Sequence, residues 1–293
     1  MKITTFICIL FLSQPLLSHS ERCNPQDKKV LLKIKQAFNN PYHLASWDPA
    51  TDCCGWYVVE CDRITNRINE IHLFSANVSG QIPAAVADLP YLESLTFHKI
   101  TNLTGTIPRA LTRLRNLKRL TISWTNISGP IPTFLSELKS LTSHLSGLRL
   151  DRNKLTGPIP DSFGDLSPTL QYLYLSHNQL SGSIPRAWGY LNFTLMSLER
   201  NKLEGDISFL NTLMFNMSNV EIPDSLTNLD LNHNRIYGSL PEGLANWERL
   251  FNMNVSYNRL CGRIPIGGKL QELDYTSYFH NRCLCGKPLP DCK

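Results

Sequence analysis

The side chains with acid–base chemistry that recur at similar places in this chain are three carboxylates and three histidines. They are Asp151, Glu199, Asp230, His98, His177 and His233. A carboxylate beside an imidazole can transfer protons, but these residues occupy one short segment in successive units of a repeat, which repetition alone explains. No nucleophile elbow, metal-binding signature or phosphate loop accompanies them in the sequence. The sequence therefore predicts a protein that is not an enzyme and that uses no cofactor or metal.

The cysteines supply the other reactive groups, and apart from Cys8 they lie at the two ends of the repeats. They are Cys23, Cys53, Cys54, Cys61, Cys261, Cys283, Cys285 and Cys292. Adjacent cysteines are poor partners, and pairing within each end leaves few arrangements. We predict four disulfides: Cys23 with Cys53, Cys54 with Cys61, Cys261 with Cys283, and Cys285 with Cys292. The alternative is a zinc site using Cys283 and Cys285, which a secreted chain favours less.

These groups lie in or beside a repeated sequence pattern, LxxLxL followed by a polar residue and LxGxIP, and the structure that this repeat forms must position them. Its glycines are Gly80, Gly105, Gly129, Gly157, Gly182, Gly205, Gly238 and Gly262. One strand and one return segment per period cannot bury an apolar face alone and must stack on neighbouring units. The pattern predicts an α/β solenoid, a plant-type leucine-rich-repeat horseshoe with a concave parallel β-sheet, a helical or 3-10 convex side and disulfide-stapled caps. We expect an N-terminal cap with a helix over 21–66, repeats over 67–265 and a C-terminal cap over 266–293.

The polar residue of the pattern stands four places before the repeat glycine, which in most units is three places after the second strand leucine. It is Asn153, Asn178, Asn201, Asn234 and Asn258 in five units, and Ala76, Thr101 and Thr125 in the first three. A buried side-chain amide can pair with the backbone of its own coil and of the next coil. These asparagines are therefore predicted to be structural.

Two intervals between repeat glycines are out of step with the others. Residues 141–144 are left over between Gly129 and Gly157, and residues 209–224 between Gly205 and Gly238 carry no strand motif. Either the solenoid bulges at these two places or part of it has been lost there.

The first 20 residues combine Lys2 with an apolar run over 3–17, a pattern typical of a secretory signal. Later residues contain no run of 18 apolar residues, so no membrane span is expected. Removing Lys2 lowers the formal net charge from +5 to about +4, a mild basic excess without a long run of lysine or arginine. Nucleic acid is thus a poor candidate partner, and an acidic polysaccharide or protein is favoured. We expect a secreted, extracellular monomer.

Asn-x-Ser/Thr sequons agree with passage through the secretory pathway. Those predicted to carry glycans are Asn77, Asn102, Asn126, Asn192 and Asn216. A sixth, Asn254, lies between two strand hydrophobic residues, where a glycan would obstruct the concave face. The repeat consensus itself generates such motifs, so the sequons alone do not establish glycosylation.

The residues between and beside the two strand leucines point out of the concave sheet, because side chains alternate along a strand. Aromatic residues and arginine are enriched where proteins bind proteins. A solvated sheet explains the many threonines, serines and asparagines, but it explains Trp124, Tyr174 and the cluster of arginines less well. The concave face is therefore the candidate binding surface.

Several stretches resemble plant polygalacturonase-inhibiting proteins, over essentially the whole chain after the signal. They include DCCGWY at 52–57, DRNKLTG at 151–157 and, most specifically, SYFHNRCLCG at 277–286. The resemblance implies a cell-wall protein of plant defence that binds fungal, and sometimes insect, polygalacturonases and limits pectin breakdown, and that could also hold pectin. It implies contacts from concave residues of the central repeats, where basic side chains meet an acidic cleft. Carried over by position, the candidates are His98, Lys99, Arg119, Trp124, Arg149, Arg152, Tyr174, His177 and Arg200.

This chain departs from the family in its number of repeats, since eight are recognisable where the family usually has ten. The shortfall falls at the two irregular intervals: compared with the family, about one whole repeat is absent after Gly129 and the strand of another is missing after Gly205, which would leave a strand slot unfilled. Later contacts are expected to be shifted and specificity to be affected. The alternative is a diverged leucine-rich-repeat binding protein without inhibitory activity, one that binds ice, a peptide or a receptor ectodomain. Ice binding requires a flat, regular polar array, and the irregular intervals argue against it.

Overall fold

Two stacked parallel sheets make up the solenoid. The computed structural model describes residues 22–138, 145–165, 169–207, 210 and 226–293. The first sheet has nine strands in the order β1-β2-β3-β4-β6-β8-β10-β12-β14, and the second has seven in the order β16-β15-β13-β11-β9-β7-β5. All strand pairs are parallel except β1 with β2, which is antiparallel and closes the N-terminal edge. The prediction of a leucine-rich-repeat solenoid is confirmed.

The first sheet is the concave sheet of this fold, and it takes one strand from each coil. Its strands are β1 (Val59–Cys61), β2 (Ile68–Phe74), β3 (Ser94–His98), β4 (Arg119–Ser123), β6 (Gly147–Arg149), β8 (Tyr172–Tyr174), β10 (Leu195–Ser197), β12 (Asn228–Asp230) and β14 (Asn252–Asn254). The register places the first strand hydrophobic residue of each coil beside that of the next, as in Leu120 beside Leu148 and Leu148 beside Leu173. These side chains are fully buried and form the core.

The second sheet was not predicted from the sequence. Its strands are β5 (Ser128–Pro130), β7 (Lys154–Pro158), β9 (Gln179–Gly182), β11 (Lys202–Gly205), β13 (Arg235–Gly238), β15 (Arg259–Arg263) and β16 (Cys283–Cys285). These strands hold the repeat glycines, which have positive φ, as at Gly182 (φ 74°). Glycine and proline are depleted in strands, so composition points away from a sheet here.

Short 3-10 helices line the convex side, as predicted. In the repeats they are Ala84–Asp88, Arg109–Arg113, Thr133–Glu137, Asp161–Asp165, Arg186–Tyr190 and Glu242–Asn246, and in the caps they are Tyr42–Leu44, Cys53–Gly55 and Tyr275–Ser277. In the repeats each of them follows an Ile-Pro or Leu-Pro pair, whose extended backbone turns the chain toward the convex side. No helix in the described part of the chain is long and apolar enough to cross a membrane.

The N-terminal cap is built on helix α1 (Pro25–Ala37), which Asn24 caps through bonds from the amides of Gln26 and Asp27. The buried carboxylate of Asp27 accepts two bonds from Arg67, at 2.8 and 2.7 Å, and one from the amide of Ile68 at 3.0 Å. A buried charge requires such pairing. The helix is thereby fixed to the start of β2.

Four disulfides close the two caps, and they are the same four pairs that the sequence predicted. They join Cys23 to Cys53, Cys54 to Cys61, Cys261 to Cys283 and Cys285 to Cys292. The last two bonds lie on and beside β16, at the exposed end of the second sheet. This pairing leaves no thiolate at Cys283 or Cys285 for zinc.

The asparagine positions form a ladder of hydrogen bonds between coils. Asn178 donates to the carbonyls of Leu150 and Leu175, at 2.9 and 3.0 Å, and accepts from the amide of Leu155 at 3.0 Å. In the second repeat the assignment of Thr101 to this ladder is wrong. Ile100 is the buried residue there, and Thr101 is exposed, because this unit has one extra residue before its glycine.

The leftover residues 141–144, and 209–224 apart from Leu210, lie outside the described residues. The strands on either side are nevertheless direct neighbours: Arg119 pairs with Gly147 between β4 and β6, and Leu195 with Asn228 between β10 and β12. The interpretation of an unfilled strand slot after Gly205 is therefore wrong for the concave sheet. We call the β4–β6 junction the first seam and the β10–β12 junction the second seam.

Candidate partner-binding surface

All nine residues carried over as candidate contacts lie on the concave sheet or directly beyond its strands. Arg119, Arg149 and Tyr174 lie on β4, β6 and β8, and His98 ends β3. The remaining five follow their strands by one to three residues and belong to a longer series. That series, which we call the edge column, is Lys99, Trp124, Arg152, His177, Arg200, His233, Tyr257 and His280. Whether these nine contact a partner stays a prediction.

The edge column has a left-handed backbone at every position, with φ between 52° and 55°. This conformation costs a residue with a Cβ atom about 1 kcal/mol or more, and glycine adopts it freely. Every column residue from Lys99 to Tyr257 donates a backbone bond to the next coil, such as Arg152 N to Ser176 O at 2.9 Å and His177 N to Glu199 O at 2.9 Å. None of the eight residues is glycine, which points to a role for their side chains.

Cation–π contacts join the column side chains in the central coils. The Arg152 guanidinium carbon lies 4.0 Å from the centre of the Trp124 ring, and Lys99 Nζ lies 5.7 Å from it. Beside the column, the Arg149 guanidinium lies 5.0 Å from the Tyr174 ring. Such contacts stabilise the stacked geometry by about 0.5–1 kcal/mol at exposed sites. The stacking orders long side chains before any partner arrives.

The arginines of the surface differ in whether a carboxylate already neutralises them. Arg149 Nε lies 2.7 Å from the buried carboxylate of Asp151, and Arg119 lies 3.1 Å from Glu70. Among the described residues, Lys99, Arg152 and Arg200 have no carboxylate within ion-pair distance. These three therefore carry the net positive charge of the edge column.

Three histidines of the surface have a pKa below the usual value. Burial is the main cause for His98, and Arg149 and Lys99 add to it. Burial also lowers the pKa of His177, together with Arg152 and Arg200, and that of His233, together with Arg200. Nearby cations disfavour a second positive charge. The lowered pKa values favour the neutral imidazole at all three positions.

The second seam brings two carboxylates together. Asp230 lies on β12, next to the coil that carries Glu199. Burial, and to a smaller extent the charge of Glu199, raises the pKa of Asp230 to about 6, although the hydrogen bonds that it accepts from Asn232 lower it. In the described part of the chain, no hydrogen bond joins a candidate carboxylate to a candidate histidine. Asp151 bonds Arg149, Glu199 bonds Ser197 and Asp230 bonds Asn232. Each of these carboxylates is thus bonded to a neighbour that is not one of the candidate histidines.

The edge column continues into the C-terminal cap, which the repeat pattern did not predict. His233 stacks on Tyr257 with ring centres 4.1 Å apart, and Tyr257 stacks on His280 at 4.4 Å. Asn281 also continues the ladder, since it donates to the carbonyls of Val255 and Tyr278 and accepts from Leu260. The signal was Tyr278-x-x-Asn281, which matches the spacing from the second strand leucine to the ladder asparagine.

Three of the predicted sequons, Asn77, Asn102 and Asn126, lie just beyond the ends of concave strands, where the chain turns toward the second sheet, and Asn192 lies between the 3-10 helix Arg186–Tyr190 and β10. Asn77, Asn102 and Asn192 are exposed, while Asn126 is partly buried and donates to the Thr101 carbonyl at 2.6 Å. Asn216 lies outside the described residues. Glycosylation at these positions stays a prediction.

The sequence is similar to known leucine-rich-repeat proteins. A family model described as "Leucine rich repeat N-terminal domain" matches residues 24–62, and one described as "Leucine rich repeat" matches residues 143–203. The chain is 54% identical to a protein of Vitis vinifera named "Polygalacturonase inhibitor", over 99% of this chain and 97% of that protein. It is 53% identical to a protein of the same name from Pyrus communis, over 100% and 99% of the two chains.

Among solved structures, a plant ice-binding protein shares 43% identity and a TM-score of 0.65, over 93% of this chain and 99% of that one. The alignment with the Vitis vinifera protein spans 324 positions and this chain has 293 residues, so at least 31 positions of that relative have no counterpart here. The two relatives are named as inhibitors and not as enzymes, in agreement with the prediction that the chain is not an enzyme.

Proposed function

The chain belongs to the family of plant polygalacturonase inhibitors, and from this premise we propose that it is an extracellular inhibitor that binds fungal polygalacturonases through its concave face. In this role it limits pectin degradation during plant defence. The proposal extends to the plant cell wall as the location, to insect polygalacturonases as further targets and to a monomeric state. Four disulfides support an oxidising, extracellular setting.

The observation that carries the proposal is the cluster of Lys99, Trp124 and Arg152 on the edge column. It combines two cations without a carboxylate partner, among the described residues, with a large exposed aromatic ring that they flank. Tryptophan and arginine are the residue types that most often dominate binding energy in an interface. Their stacking also reduces the side-chain entropy lost on association.

The chemistry of the partner complements this cluster. Glycoside hydrolases generally use a pair of carboxylates that flank the scissile bond, so the cleft of a polygalacturonase contains acidic groups. A cationic surface placed over that cleft is attracted to it and excludes the substrate. Inhibition then needs no chemistry from this chain, only occupation of the cleft.

The structure refines the choice of test variants. Removal of Arg149 would leave the buried carboxylate of Asp151 without its ion pair and would destabilise the fold. Arg152 has no such partner among the described residues, so Arg152→Glu and Trp124→Ala test binding with less effect on folding. Arg235→Glu is the matched control, because Arg235 is exposed on β13 of the second sheet.

The experiment is reducing-sugar release from polygalacturonate by a panel of fungal polygalacturonases, with and without each purified protein. We expect the unmodified protein to inhibit at least one member. Arg152→Glu and Trp124→Ala should each weaken that inhibition by about tenfold or more, and Arg235→Glu should not. A folded, monodisperse unmodified protein that inhibits no member would contradict the proposal.

Pectin is a second proposed ligand of the same surface, because polygalacturonate is a polyanion and Lys99, Arg152 and Arg200 project from one edge of the sheet. Such binding would be electrostatic and would weaken steeply with salt. Sedimentation of the protein with de-esterified pectin at 20 and 500 mM NaCl tests it, and binding that is insensitive to salt would exclude this mode.

Ice binding is less well supported, although the solved ice-binding protein shares the fold. Outward residues of the second sheet include Lys154, Lys202, Glu204 and Arg235, all exposed. Long charged side chains interrupt the flat, regular polar array that ice binding requires. A thermal hysteresis measurement on the purified protein separates the two functions.

A further inference from the structure

The first seam is irregular along the chain but regular in the concave sheet. Elsewhere consecutive repeat glycines are 23 to 25 positions apart, whereas Gly129 and Gly157 are 28 apart and Gly205 and Gly238 are 33 apart. Even so, β4 and β6 pair in the register used throughout, with Leu120 beside Leu148. The concave sheet is therefore continuous between β4 and β6 despite the longer interval.

The shortest cation–π contact of the edge column crosses this seam. Trp124 precedes the leftover residues 141–144 and Arg152 follows them, yet the guanidinium carbon lies 4.0 Å from the ring centre. Two backbone bonds fix the same junction, from the amide of Trp124 to Asp151 O at 3.1 Å and from that of Thr125 to Arg152 O at 3.2 Å. The cationic cluster is thus assembled half from each side of the seam.

The contact depends on the number of coils at the seam. Neighbouring strands are about 4.8 Å apart, so one inserted coil would move Arg152 about that much farther from Trp124. The ring contact, which requires a separation within about 6 Å, would be lost. The Vitis vinifera relative has at least 31 positions more than this chain in their alignment, which is more than one repeat.

We propose that the first seam determines which polygalacturonases this chain binds, because it places Trp124 of one coil directly against Arg152 of the next to form a composite cationic–aromatic contact. This inference rests on the proposed inhibitory function. Trp124 and Arg152 act as one unit. The guanidinium fixes the orientation of the indole ring, and the ring in turn orients the guanidinium toward an acidic group of the partner.

The test inserts a copy of residues 170–192, one regular coil, at two places. Placed before Leu145 the copy separates Trp124 from Arg152, and placed before Leu250 it leaves every coil from β2 to β12 adjacent. Both variants gain the same residues, so they match in composition and length. Circular dichroism and thermal unfolding establish that each is folded before inhibition is measured on the polygalacturonase panel.

We expect the insertion before Leu250 to stay within about threefold of the unmodified protein on each panel member. The insertion before Leu145 should lose about tenfold or more on the members that the unmodified protein inhibits. Equal inhibition by the two insertion variants would overturn the inference and leave the proposed function intact. An unmodified protein that binds no panel member would overturn both.

A double-mutant cycle supplies a test that does not depend on folding of an insertion. Trp124→Ala and Arg152→Ala are measured singly and together against the best-inhibited polygalacturonase. Side chains that act as one unit give a double variant little weaker than the weaker single variant, whereas independent contacts multiply their losses. Multiplicative losses would overturn the inference.

Discussion

The hydroxyl of Thr125 lies 2.5 Å from Oδ1 of Asn153, and this hydrogen bond joins the asparagine ladder to the coil before the first seam. The same hydroxyl accepts from the amide of Ile127 at 3.3 Å. In later coils an asparagine amide oxygen accepts directly from a backbone amide, as Asn178 does from Leu155. One threonine hydroxyl therefore acts as an adaptor at the start of the ladder.

Replacing Thr125 by valine should destabilise the protein. Valine has the same shape as threonine but has no hydroxyl. The side-chain oxygen of Asn153 would then lose its bond from residue 125, and the backbone amide of Ile127 would lose its acceptor, which costs about 1–3 kcal/mol. Thr125→Ser keeps the hydroxyl and is the matched control. Urea unfolding followed by circular dichroism measures both, and a valine variant as stable as the serine variant would contradict the adaptor role.

Replacing Arg200 by glycine should be better tolerated than replacing it by alanine. Both changes remove the same side chain, but Arg200 has a left-handed backbone (φ 54°) that glycine adopts freely and alanine does not. In a helix or strand, a glycine variant is less stable than an alanine variant by about 0.5–1 kcal/mol. At position 200 we expect the glycine variant to be the more stable of the two, by about 1 kcal/mol. Thermal unfolding of the two variants decides the order. The same pair at Ser197, inside strand β10, should show the ordinary order.

The sequence predicted those features that depend on local spacing. Leu148 and Leu150 show strand periodicity and are buried, Asn178 forms the expected ladder bonds, and the adjacent Cys53 and Cys54 exclude each other as partners. In the second repeat the count back from Gly105 misassigned Thr101, because one extra residue precedes that glycine and Ile100 takes the buried position three places after Phe97.

Side-chain neighbours from different coils could not be predicted in the same way. Trp124 contacts Arg152, and Glu199 influences Asp230, only because β4 pairs with β6 and β10 with β12 across irregular intervals. Chain spacing suggested a missing strand at the second interval. The sheet is continuous because adjacent coils share backbone hydrogen bonds and pack their buried leucines together. These interactions join different coils, so the spacing within one repeat does not reveal them.

Asp230 should make the folded protein more stable as the pH falls toward 5. Burial and Glu199 raise its pKa to about 6, so the folded state takes up a proton before the unfolded state, whose carboxyl titrates near 4. Stability is therefore reduced above pH 6 and recovered below it. Asp230→Asn should be more stable than the unmodified protein at pH 7.5 by about 1–3 kcal/mol, with the difference shrinking by pH 4.

The control for Asp230 is Asp62, whose pKa is lowered by bonds from Thr65 and Ile64. A carboxyl with a lowered pKa stabilises the fold at neutral pH and loses that contribution in acid. Asp62→Asn should therefore be less stable than the unmodified protein at pH 7.5. Urea unfolding of both variants at pH 7.5 and 4 compares the two signs, and an Asp230→Asn variant that is less stable at pH 7.5 would contradict the assignment.

His177 should oppose Asp230 and reduce stability as the pH falls. Its pKa is lowered by burial and by Arg152 and Arg200, so the unfolded chain takes up the proton first, near pH 6.5. Stability is fully present above that value and declines as the pH drops toward the folded pKa. His177→Gln should show a smaller decline between pH 7.5 and 5, measured as the shift of the urea midpoint.

The electrostatic part of the His177 shift can be isolated by removing one neighbouring charge. Arg152→Gln takes away a cation that disfavours the imidazolium, so the titration midpoint of the His177 ring, followed by its proton resonance, should move upward toward 6.5. Arg235→Gln removes the same charge from the second sheet and should leave the midpoint unchanged. Because protonated His177 would add a positive charge between Arg152 and Arg200, the edge column gains charge in acid. A midpoint at or above 6.5 in the unmodified protein would show that the surrounding carboxylates, and not the arginines, control this position.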